Sequence, residues 1–230
     1  MPPTADIVAL AIFALAWMAY EPLLKALSRG AAINTDMTVL RAAWMRRMAA
    51  RENRFIDSQL MGHAINSASF FASSNLILIA AVGGVLFSGD SAWSQIQSLG
   101  VVQAGPRILF EIKLGLVLIT LARGLLAFIW AIRQMNYTLA VIGASPETAG
   151  DEVRDAWGRA AGDLLNPALS AFNAGVRGYY FALAAAAWLL GPWSLIVATT
   201  GAVALLVWRQ RRSPAADAVR RLRALSETLD

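Results

Sequence analysis

The side chains best placed to do chemistry in this chain are polar groups set inside apolar runs. Gln59, His63, Asn66, Ser67, Phe70 and Ser74 fall within roughly 100° of one another at 100° per residue, and Ser69 and Ser73 extend the same side. Amides, hydroxyls and one imidazole then form a polar stripe about three helical turns long. Two readings fit it. The first is hydrogen bonding between helices, which contributes about 0.6 kcal/mol per bond on average. The second is the wall of a hydrated cavity or pore that carries a small ion or solute. His63 is the only histidine; on such a path it can gate or relay protons, and off it it is a hydrogen-bonded packing residue.

A second set consists of ionisable residues within or next to apolar runs: Glu21, Glu111, Lys113, Arg123 and Arg177. Glu111 and Lys113 lie near the outer end of their run, where long side chains reach the surface cheaply. Arg123 lies about 5 Å from the middle of the same run, where arginine costs about 2.5 to 3.5 kcal/mol. Glu111 is about 18 Å away along the helix, so the expected partner of Arg123 is Glu21 on the first run. The amides and hydroxyls of the polar stripe are the neutral alternative.

Other chemistries find little support. There is no cysteine, which excludes disulfides, Cys-ligated zinc, iron–sulfur clusters and a thiol nucleophile. No HExxH, G-x-S-x-G or P-loop pattern occurs, and no paired carboxylates sit inside an apolar run. The expectation is a protein that is not an enzyme and holds no metal or cofactor.

The composition sets the solvent. Hydrophobic residues make up 57% of the 230, charged residues 15%, and the mean hydropathy is +0.53; soluble domains run near 45–50% and about 25%. The expected fold is an all-α integral membrane helical bundle. The net charge is +5, and thirteen of the 20 Lys and Arg fall in two stretches that flank apolar runs. Anionic lipid headgroups are therefore the expected partner rather than nucleic acid.

A spanning helix needs about 20 apolar residues. Candidates cover residues 7–24, 59–87 and 108–132. The region Leu164–Trp208 would reach about 67 Å as one helix, against a hydrocarbon core of about 30 Å. A hairpin at Gly191-Pro192-Trp193 resolves this into spans 164–190 and 194–208. Residues 1–212 then form one transmembrane domain, with residues 136–162 as a polar internal segment.

The tail, 213–230, reads as a short amphipathic helix through Val219, Leu222 and Leu225. Seven basic residues between Lys25 and Arg54, none in 88–106, and Arg209, Arg211 and Arg212 after the last run place the N-terminus outside and the C-terminus in the cytoplasm. The expected location is the cell inner (plasma) membrane, with five spans. Four spans follow if the last region is one long kinked helix or the first run does not cross. A secretory signal at residues 7–20 is disfavoured by Asp6 and by the absence of Lys or Arg before it.

In the basic segment, Asp36 can cap a helix whose Met37, Leu40, Trp44, Met48 and Phe55 share an arc of roughly 80°. Arg41 and Arg51 flank that arc. Either this helix lies in the membrane interface, with Trp44 at headgroup level and the arginines snorkelling to phosphates, or it is a cytoplasmic helix packed on the bundle. Gly83, Gly84, Gly115, Gly175, Gly178, Ala182 and Ala186 suggest close helix approach, within or between subunits.

Three blocks carry a resemblance. They are Phe70-Phe71-Ala72-Ser73-Ser74-Asn75-Leu76-Ile77-Leu78-Ile79, Trp130-Ala131-Ile132-Arg133-Gln134-Met135-Asn136-Tyr137, and Gly175-Val176-Arg177-Gly178-Tyr179-Tyr180-Phe181-Ala182-Leu183-Ala184 with Trp188 and Gly191-Pro192-Trp193 after it. Together they resemble a domain-of-unknown-function family of bacterial and plant multi-pass integral membrane proteins. The resemblance implies a membrane location for most of the chain and carries no activity or site.

The function expected from the residues is a homo-oligomeric channel or transporter for a small ion or solute, its pore formed between subunits. Rings of Lys113, Arg123 or Arg177 would favour anions and a Glu111 ring cations, and the bases outnumber the acid. The rival is a non-conducting membrane scaffold whose basic surface recruits lipid or a cytosolic partner.

Overall fold

The structure, a computed structural model, describes residues 4–28, 32–89, 93–95, 98, 100 and 106–228. Arg29, the side chain of Lys25 and much of the expected external loop at 88–106 lie outside the described residues. The described residues form helices and no strand: α1 Thr4–Ser28, α2 Ile33–Ala50, α3 Phe55–Phe87, α4 Arg107–Gly143, α5 Asp151–Ala187, α6 Pro192–Arg211 and α7 Pro214–Glu227.

Local chemistry sets several of these boundaries. The Phe55 N–H donates to Asn53 Oδ1 at 2.9 Å where α3 begins. Asp151 and Glu152 occupy the first turn of α5, where the helix dipole favours negative charge. After α5, a 3₁₀ turn at Trp188–Leu190 leads to Gly191, whose φ of 133° is open to glycine but strained for other residues. Pro192 then starts α6 at a position where its missing N–H costs nothing. At α7, Ser213 Oγ accepts from the Ala216 N–H at 3.2 Å, and Pro214 follows it.

α4 and α5 have 37 residues each, about 55 Å of helix. Both are longer than the expected spans 108–132 and 164–190, because residues 136–162 continue the helices on both sides of one turn instead of forming a separate polar segment. The cause is amphipathicity. Thr138, Ile142, Ala161 and Leu165 are buried while Asn136, Tyr137, Arg159 and Asp163 are exposed, a pattern that lowers mean hydropathy without breaking the helix. The indole N–H of Trp157 donates to the Val141 carbonyl at 3.2 Å across that turn.

Four stretches are long and apolar enough to cross a membrane: Thr4–Leu24 in α1, α3, α4, and Pro192–Glu227, which begins with α6. This is a helical membrane protein. α5 does not meet that standard among the described residues, since Asn173, Arg177, Tyr179 and Tyr180 interrupt its apolar half.

The chain divides into two compact units. The first comprises Met1–Leu27, Ser73–Leu125 and Gly175–Val207. Its core gathers Phe13, Phe181, Trp188 and Leu195, with Phe13 and Phe181 meeting edge to face at 6.0 Å. α4 and α5 touch backbone to backbone here. A Cβ on Gly178 would lie 3.1 Å from the Gly124 Cα.

The second unit comprises Ser28–Ala72, Leu126–Ala174 and Trp208–Asp230. Met45, Met48, Met61 and Met135 fill its core, beside a cluster of Phe71, Phe128 and Phe172 with ring centroids 5.7–5.8 Å apart. α2 packs against both α5 and α7. Both readings of α2, at the membrane interface and packed on the bundle, are compatible with these contacts.

The glycines that permit this are Gly158 and Gly162. A Cβ on Gly158 would stand 2.5 Å from the Arg46 Cα and 2.9 Å from the Met45 carbonyl oxygen, and one on Gly162 3.2 Å from the Ala42 Cα. Gly83, Gly84 and Gly115 have nothing within 4 Å, so they mark no close approach within the monomer.

Gly158→Ala is expected to destabilise the protein by about 1–3 kcal/mol, the usual cost of overpacking. Gly83→Ala should be neutral or stabilise by up to about 1 kcal/mol, because it only removes a flexible residue from a helix. Thermal unfolding of the two purified variants in mild detergent measures the contrast.

Candidate functional site

α3 carries the polar stripe, and its burial pattern shows which way the stripe points. Asp57, Met61, Ala68 and Asn75 are its buried positions, and they lie roughly 180° around the helix from His63, Asn66 and Phe70. His63, Asn66, Ser67, Phe70 and Ser73 are exposed, and Ser74 is half-buried. Phe70, at 68% exposure, projects outward among them. Among the described residues, the side chains of His63, Asn66, Ser67, Ser73 and Ser74 have no hydrogen-bond partner. The stripe therefore faces away from the monomer's own packing.

Asn75, on the opposite side of α3, behaves as a packing residue. Its Nδ2 donates to the Leu121 carbonyl at 3.0 Å, in the unit where Gly124 leaves room for the amide.

The intramembrane charges sort differently from expectation. Glu21 pairs with Arg177, not with Arg123, and the Arg177 guanidinium also lies 5.5 Å from the centre of the Tyr20 ring. Arg123 is exposed, and its guanidinium stacks on Trp17 at 5.1 Å. The correction has a geometric cause: α5 presents Arg177 beside the end of α1, and a side chain's depth along its helix says nothing of its angle around it. Lys113 is 3% exposed, not snorkelling outward, with Nζ 5.7 Å from the Trp188 ring centre. Trp188 Nε1 donates to the buried Asp6 carboxylate at 2.6 Å. Glu111 accepts from Arg107 at 2.7 Å on the helix surface.

The interface residues of α2 also separate. Arg41 is buried, with its Nε unpartnered, and burial pulls its pKa below the usual guanidinium range; it is not a residue that snorkels to phosphate. Trp44 donates to Asp57 Oδ1 at 2.7 Å, and Arg51 pairs with the same carboxylate. These two residues border an open, mainly apolar cleft of about 650 Å³, completed by Asn53, Ile56, Leu60 and Ala64. Asp36 does not cap α2, whose N-cap is Ala32; it is buried in the first turn and accepts from Arg223 of α7 at 2.9 Å.

Asp57, Gly158 and Gly162, and the buried contact of Asp6, are not among the residues expected from sequence to carry function. The acids each lie near a tryptophan or arginine only in the fold, so no local pattern marks them. Gly158 and Gly162 did carry a signal, the small-xxx-small spacing, in the stretch read as a polar internal segment. Among the described residues no group of three His, Cys, Asp or Glu is placed to hold a metal ion.

Double-mutant cycles with neutral substitutions separate the two possible partners of Glu21. Glu21 and Arg177 should show a favourable coupling of about 0.5–3 kcal/mol, and Glu21 and Arg123 a value near zero. Unfolding midpoints in detergent supply the measurement.

Neither a curated protein nor a solved structure matches the chain. A protein family does, over residues 8–215, which takes in α3, most of α1 and every other helix up to the start of α7. The chain belongs to the family described as protein of unknown function, DUF599.

Proposed function

We propose that this protein is a homo-oligomeric channel or transporter for a small ion or solute, with the polar face of α3 lining the path. One observation carries the reading. His63, Asn66, Ser67 and Ser73 are exposed on a helix suited to cross a membrane, and that helix buries almost nothing of its most apolar stretch within the monomer. Hydrocarbon offers these groups no hydrogen bonds, and each amide or hydroxyl left unpaired there costs several kcal/mol. A second copy of the chain, water, or both must cover the stripe, and an assembly that encloses water supplies both.

Charge favours anions. Lys113 is buried, Arg177 is paired with Glu21, and Glu111 is held by Arg107. Arg123 is thus the exposed cation in the spanning part of α4, and a ring of such residues attracts anions.

The orientation follows from the distribution of Lys and Arg. The basic residues after α1 and after α6 belong in the cytoplasm of a cell whose inner (plasma) membrane holds the protein. α4 then ends inside, and α6 must begin outside to end inside, so the apolar half of α5 has to cross between them. Five spans result, with the N-terminus outside. On this reading the polar stripe opens from the cytoplasmic end of α3.

The absence of cysteine permits a clean test. Asn66→Cys or Ser73→Cys should cross-link between subunits in membranes under oxidation, whereas Leu15→Cys on the outer face of α1 should not. Purified protein in liposomes should pass chloride in preference to potassium, and Asn66→Leu or Ser74→Leu should remove most of the flux. Cross-linking without flux at any pH or ionic condition favours a non-conducting scaffold. Monomers alone in mild detergent and in membranes would exclude a pore between subunits.

A further inference from the structure

The corner between α6 and α7 holds a cavity that neither the helix packing nor the α3 stripe uses. It measures about 320 Å³ and is lined by Arg211, Arg212, Asp217 and Arg220. Three arginines and a single carboxylate thus line one cavity.

The carboxylate is already engaged. Arg220 Nη2 donates to Asp217 Oδ1 at 2.6 Å and to the Arg211 carbonyl at 3.0 Å, which holds that side chain against the corner. Among the described residues, the side chains of Arg211 and Arg212 have no partner. Two uncompensated cations therefore share a cavity with a third that is fixed in place.

The corner itself is firmly built. Ser213 caps α7, and Arg223 ties α7 to the buried Asp36 of α2. The cavity is thus ordered before any ligand arrives, which lowers the entropic cost of binding.

Position identifies the ligand. Trp208, half exposed, stands in the last turns of α6, and tryptophan favours the headgroup level of a membrane. Arg211 and Arg212 follow it by three and four residues, so they lie on the same helix face one turn closer to water. That is the level of lipid phosphates. Arginine matches phosphate oxygens with paired N–H groups.

We infer that Arg211, Arg212 and Arg220 form a binding site for the phosphate of an anionic phospholipid headgroup. The site is separate from the polar face of α3, and it holds whether or not the protein conducts.

The test is native mass spectrometry of the full-length protein in mild detergent. It is titrated with dioctanoyl phosphatidylglycerol, with dioctanoyl phosphatidylcholine, and with inorganic phosphate as competitor. Phosphatidylglycerol should bind in preference to phosphatidylcholine, and Arg211→Gln/Arg212→Gln should weaken it about tenfold or more, as expected for loss of charge-assisted hydrogen bonds. The charge-matched control Arg47→Gln/Arg221→Gln, both exposed and outside the cavity, should bind as the parent does.

Equal loss in the control, or no loss in the cavity variant, overturns the site. Displacement of the lipid by inorganic phosphate at equal concentration reassigns the cavity to free phosphate and overturns the lipid assignment. Should the cavity variant not fold, Asp217→Asn decides. It removes the competing carboxylate and should tighten phosphatidylglycerol binding; unchanged or weaker binding overturns the proposal.

Discussion

Hydrocarbon supplies no hydrogen bonds, so each polar side chain in the membrane part of this chain needs a partner from the protein or from trapped water. The first unit meets part of that demand internally. Asn75 donates to the Leu121 carbonyl, Trp188 to Asp6, and Thr120 to the carbonyls of Leu116 and Val117, while Glu21 meets Arg177. Along α3 the same demand goes unmet at His63, Asn66, Ser67 and Ser73. The two sides of that helix differ: one packs within the monomer, and the other leaves its polar side chains exposed.

The second unit depends on close backbone contact and on buried acids. Gly158 and Gly162 let α5 lie against α2 near the contact limit, which leaves α2 no freedom to slide. Asp36 and Asp57 then take up arginines that composition alone would assign to lipid: Arg223 goes to the first, and Arg51 to the second together with the Trp44 indole. A buried carboxylate without its cation would be costly, so these pairs order the basic segments. Arg211 and Arg212 are among the cations left outside these pairs, and they are the ones that border a cavity.

The all-α membrane class was legible because hydropathy and helical length respond to the solvent, and the solvent acts on each helix separately. The polar stripe was legible for the same reason, since angular position around one helix follows from residue count. The helix break at Gly191-Pro192 was visible too, as a backbone requirement local to two residues. Helix lengths were harder. α4 leaves the apolar register after about 25 residues and α5 enters it only after about a dozen, so both carry amphipathic stretches that a search for spans does not count.

Pairings were not legible. Residue counting places Glu21 and Arg123 at compatible depths, yet Glu21 meets Arg177, Arg123 stacks on Trp17, and Lys113 turns inward towards Trp188. Nor did glycine content show which glycines matter: Gly83, Gly84 and Gly115 touch nothing, and Gly158 and Gly162 bear a helix contact. By itself the sequence determined the solvent of each helix and the side of α3 on which polarity lies, because both are periodic properties of one element. Only the tertiary structure decided which charge meets which and which polar groups stay unpartnered, because those depend on the rotation and register of two helix surfaces against each other.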